Sequence, residues 1–335
     1  MEKDTNFKAL VVEKTVDKQF VRKISERKLD DLPQGDLVVR VHYSSLNYKD
    51  ALSATGHPGV TRQFPHTPGI DAAGEVISCL SGVFAPGEKV IVTGYDLGME
   101  TDGGWGQLIR IPSEWALRIP EKLSLRDSMA LGTAGLTAGL SVLKLLEAGV
   151  RPDQGDMLVT GATGGVGSIA VSILAGAGYR VVASTGKDAD VEYLKGLGAA
   201  EVISREEAAA GAEKPVLAER WGGVVDVVGG ATLVAALKST KHGGTVTCCG
   251  LVGSAELPLN VYPFILRGVS LIGIDSVQCP RAVRAEVWKR LASEWKPASL
   301  TEVVTECTLH EVEPMIQAIL KGAIRGRVVV NMLGC

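Results

Sequence analysis

The sequence has no C-x-x-C pair although it carries six cysteines, and a chain of this length needs no disulfide framework to bury a core. Cys79, Cys248, Cys249, Cys279, Cys307 and Cys335 therefore read as reduced, mostly structural thiols. No stretch of about 18 or more uninterrupted apolar residues is present to span a bilayer, and the N-terminal run MEKDTNFKALVVEK lacks the apolar core of a secretory signal. A cytoplasmic protein with no membrane partner is the expectation. No long block of Lys or Arg stands out from a formal net charge of -3, so nothing offers an electrostatic grip on nucleic acid. What is present is an ordinary soluble composition: 335 residues, 46% hydrophobic and 22% charged. That length suggests about two domains of ~100–200 residues each, and the composition suggests a small ligand.

The first part of the chain has short β-type runs separated by Gly and Pro, among them FKALVVEK, GDLVVRVHYSSLN, AAGEVIS and EKVIVTG. A compact β domain with little helix follows from that pattern. From about Gly132 the rhythm becomes strand and helix in alternation: DMLVTG, VGSIAVSILAGAG, RVVAST, DVEYLKGLGA, EVIS, GGVVDVVG and GGTVTCCG. Continuously apolar strands between helices indicate a parallel sheet covered on both faces. The adjacent Cys248 and Cys249 fall where a buried strand passes into a loop. Neighbours on a strand point to opposite faces, so the pair is not placed to share a metal.

The stretch VTGATGGVGSIA, residues 159–170, reads as a strand end, a glycine-crowded turn and a helix start. Ala162, Gly164 and Gly167 fit A-x-G-x-x-G, a variant of the dinucleotide-binding turn. Gly164 lets backbone approach a pyrophosphate, Gly167 lets the helix pack on the strand, and helix N–H groups attract the anion. An acid at the end of the next strand would select NAD through its ribose hydroxyls. Here Ser184, Thr185, Gly186 and Lys187 stand in its place, favouring a 2′-phosphate and NADP(H). Arg205 is a second candidate for the adenosine end, with an ordinary solvated Arg as the alternative.

With SSLNYKDALSATG, PGIDAAGEV, GGWGQLIRIP, GTAGLTAGLSV and LIGIDSVQCPRAVRAEVWKRLA in the same order as this turn, the chain resembles the medium-chain dehydrogenase/reductase superfamily. The likeness is to its quinone oxidoreductase-like branch, acryloyl-CoA reductase type. It implies an α/β protein: a GroES-like β-rich catalytic domain over 1–130, a doubly wound Rossmann domain with a parallel sheet over 131–275, and a C-terminal segment, 276–335, completing the catalytic domain. A homodimer is implied as well. Zinc-dependent members place a Cys and, about twenty residues on, a His; this chain has Asn47 and then Ile70 and Asp71. Zn²⁺ takes about four Cys, His or carboxylate ligands, so no metal is expected. His57 and His66, each near a proline, read as loop residues.

The resemblance implies an NADPH-dependent oxidoreductase of an activated C=C bond, most simply acryloyl-CoA to propanoyl-CoA, with a quinone or general enone reductase as the alternative. A non-catalytic nucleotide-binding protein of this fold is a further one. Tyr48 is expected beside the nicotinamide as hydrogen-bond or proton donor, with Asn47 and Asp50 as further catalytic candidates that shape its loop or position water. Cofactor contacts are expected from Tyr48, Thr163, Gly164, Gly165, Val166, Ser184, Thr185, Gly186, Lys187, Arg205, Leu251 and Ser276. An acyl-CoA substrate would also call on cations, for which Lys49, Arg62, Arg281 and Arg284 are available. Charges spaced like Arg281 and Arg284 are more often the wet face of a helix.

Overall fold

A computed structural model describes residues 5–298 and 300–334; Cys335, read above as a reduced thiol, lies outside them. The chain opens with β1 (Asn6–Lys14) and β2 (Phe20–Lys28), then β3 (Leu37–Leu46), helix α1 (Tyr48–Ala54), β4 (Asp71–Cys79), β5 (Lys89–Thr93), β6 (Leu108–Ile111) and β7 (Ala116–Arg118). Helix α2 (Leu125–Glu147) leads into β8 (Asp156–Val159), α3 (Gly165–Gly176), β9 (Val181–Thr185), α4 (Val191–Gly196), β10 (Glu201–Ser204), α5 (Arg205–Ala209) and β11 (Trp221–Asp226). After these come α6 (Gly230–Ser239), β12 (Thr240–Cys248), α7 (Tyr262–Arg267), β13 (Ser270–Gly273), α8 (Arg281–Leu291), β14 (Val304–Thr308), α9 (Val312–Leu320) and β15 (Arg327–Asn331).

Two compact units result. The first takes the chain to Thr133 together with Val277–Glu286 and the stretch from Leu300; the second takes Ala134–Ser276 and Val287–Ser299. The C-terminal segment is thus shared, because Val287 is fully buried against Gly139 of α2, where a Cβ would come within 2.5 Å of its Cγ1.

In the first unit a seven-stranded sheet runs β14-β15-β3-β4-β5-β7, with β6 also paired to β3. Alternation along β3 covers both of its faces. Leu37, Val39 and Val41 pack with Trp105, Ile109 and Val328, while Val38 joins Phe7, Val11 and Leu108. Burying each such side chain stabilises the unit by ~1.5–3 kcal/mol. The last strand, β15, sits inside this sheet, parallel to β14 and antiparallel to β3.

The second unit holds a six-stranded, wholly parallel sheet in the order β10-β9-β8-β11-β12-β13. Strands β9 (VVAST) and β11 (WGGVVD) are buried along their whole length, which is why they read as continuous rather than alternating apolar runs. The strand order reverses between β8 and β11, and the carboxyl ends of strands at such a reversal are where doubly wound sheets bind ligands.

Helix α2 is long and apolar enough by composition to cross a membrane, yet most of its apolar stretch is buried inside the protein. Its regular path is broken at Gly132, at φ 53° and ψ −153°. Arg284 departs from the wet helix face allowed for it: it is buried, Nη1 donates to the Thr93 carbonyl at 2.6 Å and to its Oγ1 at 2.9 Å, and its guanidinium lies over the Tyr95 ring. Buried against these partners, it is not available to a substrate phosphate.

Candidate active site

After β8 the chain turns through Thr160 to Gly164 before α3 begins. Gly161 adopts φ +55°, and the Gly164 N–H donates to the Gly161 carbonyl at 3.0 Å. A Cβ on Gly167 would stand 2.4 Å from that same carbonyl oxygen, so α3 closes on the turn only with glycine there. Gly164 is bare for a different reason: its Cβ would meet only the Gly161 oxygen, at 3.4 Å, leaving its outer side open. Thr163 is buried, whereas Gly164, Gly165 and Val166 remain partly exposed where the N–H groups of α3 are free to attract an anion.

At the end of β9, Ser184 and Thr185 are turned inward. The Ser184 hydroxyl donates to the Ser204 carbonyl at 3.4 Å, and Thr185 Oγ1 accepts from the Lys187 N–H at 3.1 Å. The exposed groups here are Gly186 and Arg205. Arg205 opens α5, whose preceding Ser204 accepts from the Glu207 N–H at 3.0 Å. Its guanidinium lies over Gly186, where a Cβ would fall 2.8 Å from Nη2. The structure therefore brings a cation to the end of β9, and no carboxylate ends that strand.

Further along the same sheet end, Leu251 is 66% exposed and the Ser276 hydroxyl accepts from Thr137 Oγ1 at 2.9 Å. A cavity of about 610 Å³ within this unit is lined by Cys248, Cys249, Leu251, Leu257 and Asp275. The two thiols diverge as expected: Cys248 packs against the sheet core, while Cys249 donates to the Asp226 carbonyl. Burial, with Asp226 beside it, pushes the Cys249 thiol up to about 12. All five described cysteines are free.

In the first unit, the end of β3, the start of β4, the break in α2 and the start of β15 meet behind α1. Tyr48, its first residue, is 44% exposed; Asn47 and Asp50 are buried. Asp50 Oδ2 accepts from the Asn47 N–H at 2.7 Å, and Oδ1 accepts from the Ile70 N–H at 2.7 Å. Burial, then the charge of Asp71, raises Asp50 from its ordinary 3.8 to about 7, against the pull of these donors. Asp71 Oδ2 accepts from Ser45 Oγ (2.6 Å), Asn47 Nδ2 (2.9 Å) and the Thr133 N–H (2.9 Å), and Oδ1 from Thr133 Oγ1 (2.6 Å). Arg327, buried, approaches to 3.9 Å. Gly132 allows this convergence, since a Cβ there would lie 2.4 Å from Asp71 Oδ2.

Sequence reasoning singled out Asn47, Tyr48 and Asp50 but passed over Ser45, Thr133 and Arg327. The signal for Arg327 was its charge immediately before the apolar run VVV. Of the other cations considered for a substrate phosphate, Arg62 is exposed and 3.7 Å from Glu100, and Arg281 donates to the Ala116 carbonyl at 3.2 Å. His57 Nδ1 accepts from the Gly59 N–H, and the loop residue His66 is buried with Nε2 3.0 Å from the Gly98 carbonyl.

Residues 33–121 match the family described as "Alcohol dehydrogenase GroES-like domain", and residues 165–293 match "Zinc-binding dehydrogenase". The chain belongs to the medium-chain dehydrogenase/reductase superfamily. Within it, the chain stands with the quinone oxidoreductase-like proteins and acrylyl-CoA reductases. It is 47% identical over 329 residues to YhfP of Bacillus subtilis, provisionally named a quinone oxidoreductase, covering 98% of this chain and 99% of that one. To the acrylyl-CoA reductase AcuI of Ruegeria pomeroyi it is 42% identical over 327 residues, with 97% and 99% covered. The crystal structure of Escherichia coli K-12 YhdH with bound NADPH superposes with a TM-score of 0.93 at 42% identity, covering 96% of this chain and 99% of that one.

The zinc in the second family description does not fit these residues. Asn47 turns its amide nitrogen, a donor, toward Asp71, and the Asp71 carboxylate is filled by four hydrogen bonds beside a guanidinium. Among the described residues no group of three or more His, Cys, Asp or Glu is gathered to hold a metal.

Proposed function

We propose that the protein is a zinc-independent, NADPH-dependent reductase of an activated carbon–carbon double bond, with acryloyl-CoA reduced to propanoyl-CoA. The observation that carries this reading is the filling of the Asn47–Asp71 place by Arg327 and hydrogen bonds, with the phenol of Tyr48 exposed next to it. A neutral phenol suits conjugate reduction, which needs a donor to the carbonyl oxygen and a proton for the α carbon. The 42% identity to AcuI supports the same substrate.

NADPH, when bound, supplies the hydride for the β carbon. The residues suited to hold it are Thr163, Gly164, Gly165 and Val166 in the turn, Gly186, Lys187 and Arg205 at the end of β9, and Leu251 and Ser276, with Ser184 and Thr185 shaping the strand end from inside. Arg205 over Gly186, with no acid ending β9, supports preference for a 2′-phosphate. A relative, Bacillus subtilis YhfP, was crystallised with NAD bound, so the preference itself is to be measured. Tyr48 donates to the substrate carbonyl and supplies the proton, while Asn47 and Asp50 hold its turn. The cytoplasm is the compartment that suits these substrates, and a homodimer is in keeping with the exposed Val261, Ile265 and Leu266 next to the edge strand β13.

The test is NADPH oxidation with acryloyl-CoA, a small quinone and a simple aldehyde as acceptors, with chelator present, for the wild type and Tyr48→Phe. The expected result is the highest kcat/KM with acryloyl-CoA, no effect of chelator, and a kcat in Tyr48→Phe at least tenfold lower with NADPH affinity kept. Reduction of the aldehyde alone, abolished by chelator, would sink the reading. A quinone reductase is the second reading, favoured by the name of YhfP, and the acceptor panel separates the two by kcat/KM.

A further inference from the structure

We propose that Arg327 is a positioning residue for Tyr48, acting through the side chain of Asn47; the proposal rests on the role given to Tyr48 above. Arg327 heads β15 and is 3% exposed. Its Nε donates to the Ala130 carbonyl at 3.0 Å, and Nη1 donates to Asn47 Oδ1 at 3.1 Å and to the Leu46 carbonyl at 3.4 Å. Nη2 points toward Asp71 Oδ2 at 3.9 Å without a hydrogen-bond partner among the described residues. Burying a guanidinium is costly unless charge and hydrogen bonds compensate it. Here Asp71 supplies the charge, and the hydrogen bonds go to Asn47 and to two carbonyls flanking the site.

An asparagine amide can be turned end for end, and only its partners decide which end is the acceptor. Because Arg327 has donors alone, it fixes Oδ1 on its own side, which commits Nδ2 to Asp71 (2.9 Å), Ser45 Oγ (3.1 Å) and Asp50 Oδ2 (3.1 Å). The Asn47 N–H is held in turn by Asp50. Both ends of Asn47 are thereby locked, and Tyr48 is the next residue. No hydrogen bond of the Tyr48 hydroxyl falls among the described residues, so its placement derives from the backbone that carries it. A reacting group misplaced by ~1 Å loses about 100-fold in rate, which is the sensitivity such a lock protects against. The charged groups facing the guanidinium are Asp71 and Asp50.

The test is a double-variant cycle on the full chain: Arg327→Met and Arg327→Lys, each alone and with Tyr48→Phe. Turnover with NADPH and acryloyl-CoA, NADPH Kd by fluorescence titration, and amide exchange of the ligand-free protein are measured. Arg327→Met is expected to lower kcat about 10–100-fold with NADPH Kd within about twofold. Arg327→Lys recovers part of that loss, and exchange quickens in α1 but not in α3. In the Tyr48→Phe background the same change costs less than about threefold, because the contribution it protects is already gone. Multiplicative losses, or an unchanged kcat in Arg327→Met, overturn the proposal; if that variant does not fold, Arg327→Lys carries the cycle. Full turnover in Tyr48→Phe alone would overturn the role of Tyr48 and this inference together, whereas an impaired Tyr48→Phe with multiplicative doubles overturns only the inference.

Discussion

Thr160 donates its hydroxyl to Asp226 Oδ1 at 2.7 Å, joining the carboxyl ends of β8 and β11, the two strands between which the sheet order reverses. The same hydroxyl accepts from the Val227 N–H at 3.0 Å, and Asp226 Oδ2 accepts from the Gly229 N–H at 2.8 Å. Thr160→Val keeps the shape but strips two buried groups of their partner, each worth ~1–3 kcal/mol. Thermal melts should show a Tm lower by several degrees, and fluorescence titration a weaker hold on NADPH, since the glycine turn starts at this residue. An unchanged melt would show that the latch is not needed.

Gly132→Ala should be among the most damaging single-methyl additions in the chain. The residue has φ +53°, and the new carbon would lie 2.4 Å from Asp71 Oδ2 and 2.9 Å from Arg327 Nη2. At ψ −153° this positive-φ backbone is essentially glycine's alone and costs an L-residue ~1–3 kcal/mol, and displacing a buried charge adds to it. Urea unfolding should register a loss of at least ~2 kcal/mol.

Arg205→Ala and Lys187→Ala test the cofactor preference at separate residues. Losing a charge-assisted hydrogen bond to a 2′-phosphate is worth ~1.5–3 kcal/mol, about 10–100-fold in NADPH KM with NADH KM little changed. Because the guanidinium already lies over Gly186, the larger effect is expected at Arg205. Equal losses with both cofactors would place the discrimination elsewhere.

Asp50 makes stability depend on pH. Its folded value, about 7, stands above the ordinary 3.8, so between those values the folded state holds a proton that the unfolded chain releases. Stability from this group is therefore fully present at low pH and lost as pH rises toward and through 7. The Tm advantage of wild type over Asp50→Asn should shrink from pH 5 to pH 8; a constant gap would mean that Asp50 does not titrate there.

The glycine turn was legible because its chemistry is local: strand, turn and helix follow one another, and Gly161 to Gly167 meet within a few residues. The cluster behind Tyr48 was not, because Ser45, Thr133 and Arg327 reach Asp71 only through the tertiary fold, Ser45 from 26 positions away, Thr133 from 62 on helix α2, and Arg327 from the far end of the chain on β15. Arg284 misled for the same reason. Its spacing from Arg281 suggests solvent, but the carbonyls of Thr93 and Val277 bury it. The ends of the serine and threonine side chains at β9 turned inward, leaving Arg205, offered by sequence with a plain alternative, as the exposed cation at that strand.

The interior position of β15 also imposes an order in time. Most of the second unit is a continuous stretch, Ala134–Ser276, and can close while synthesis is under way. The seven-stranded sheet cannot, since β3 waits for a partner that begins at residue 327. A chain ending before that point keeps the continuous part of the second unit but leaves β3 without β15 in the first, and deleting the codons from 327 onward should have that result.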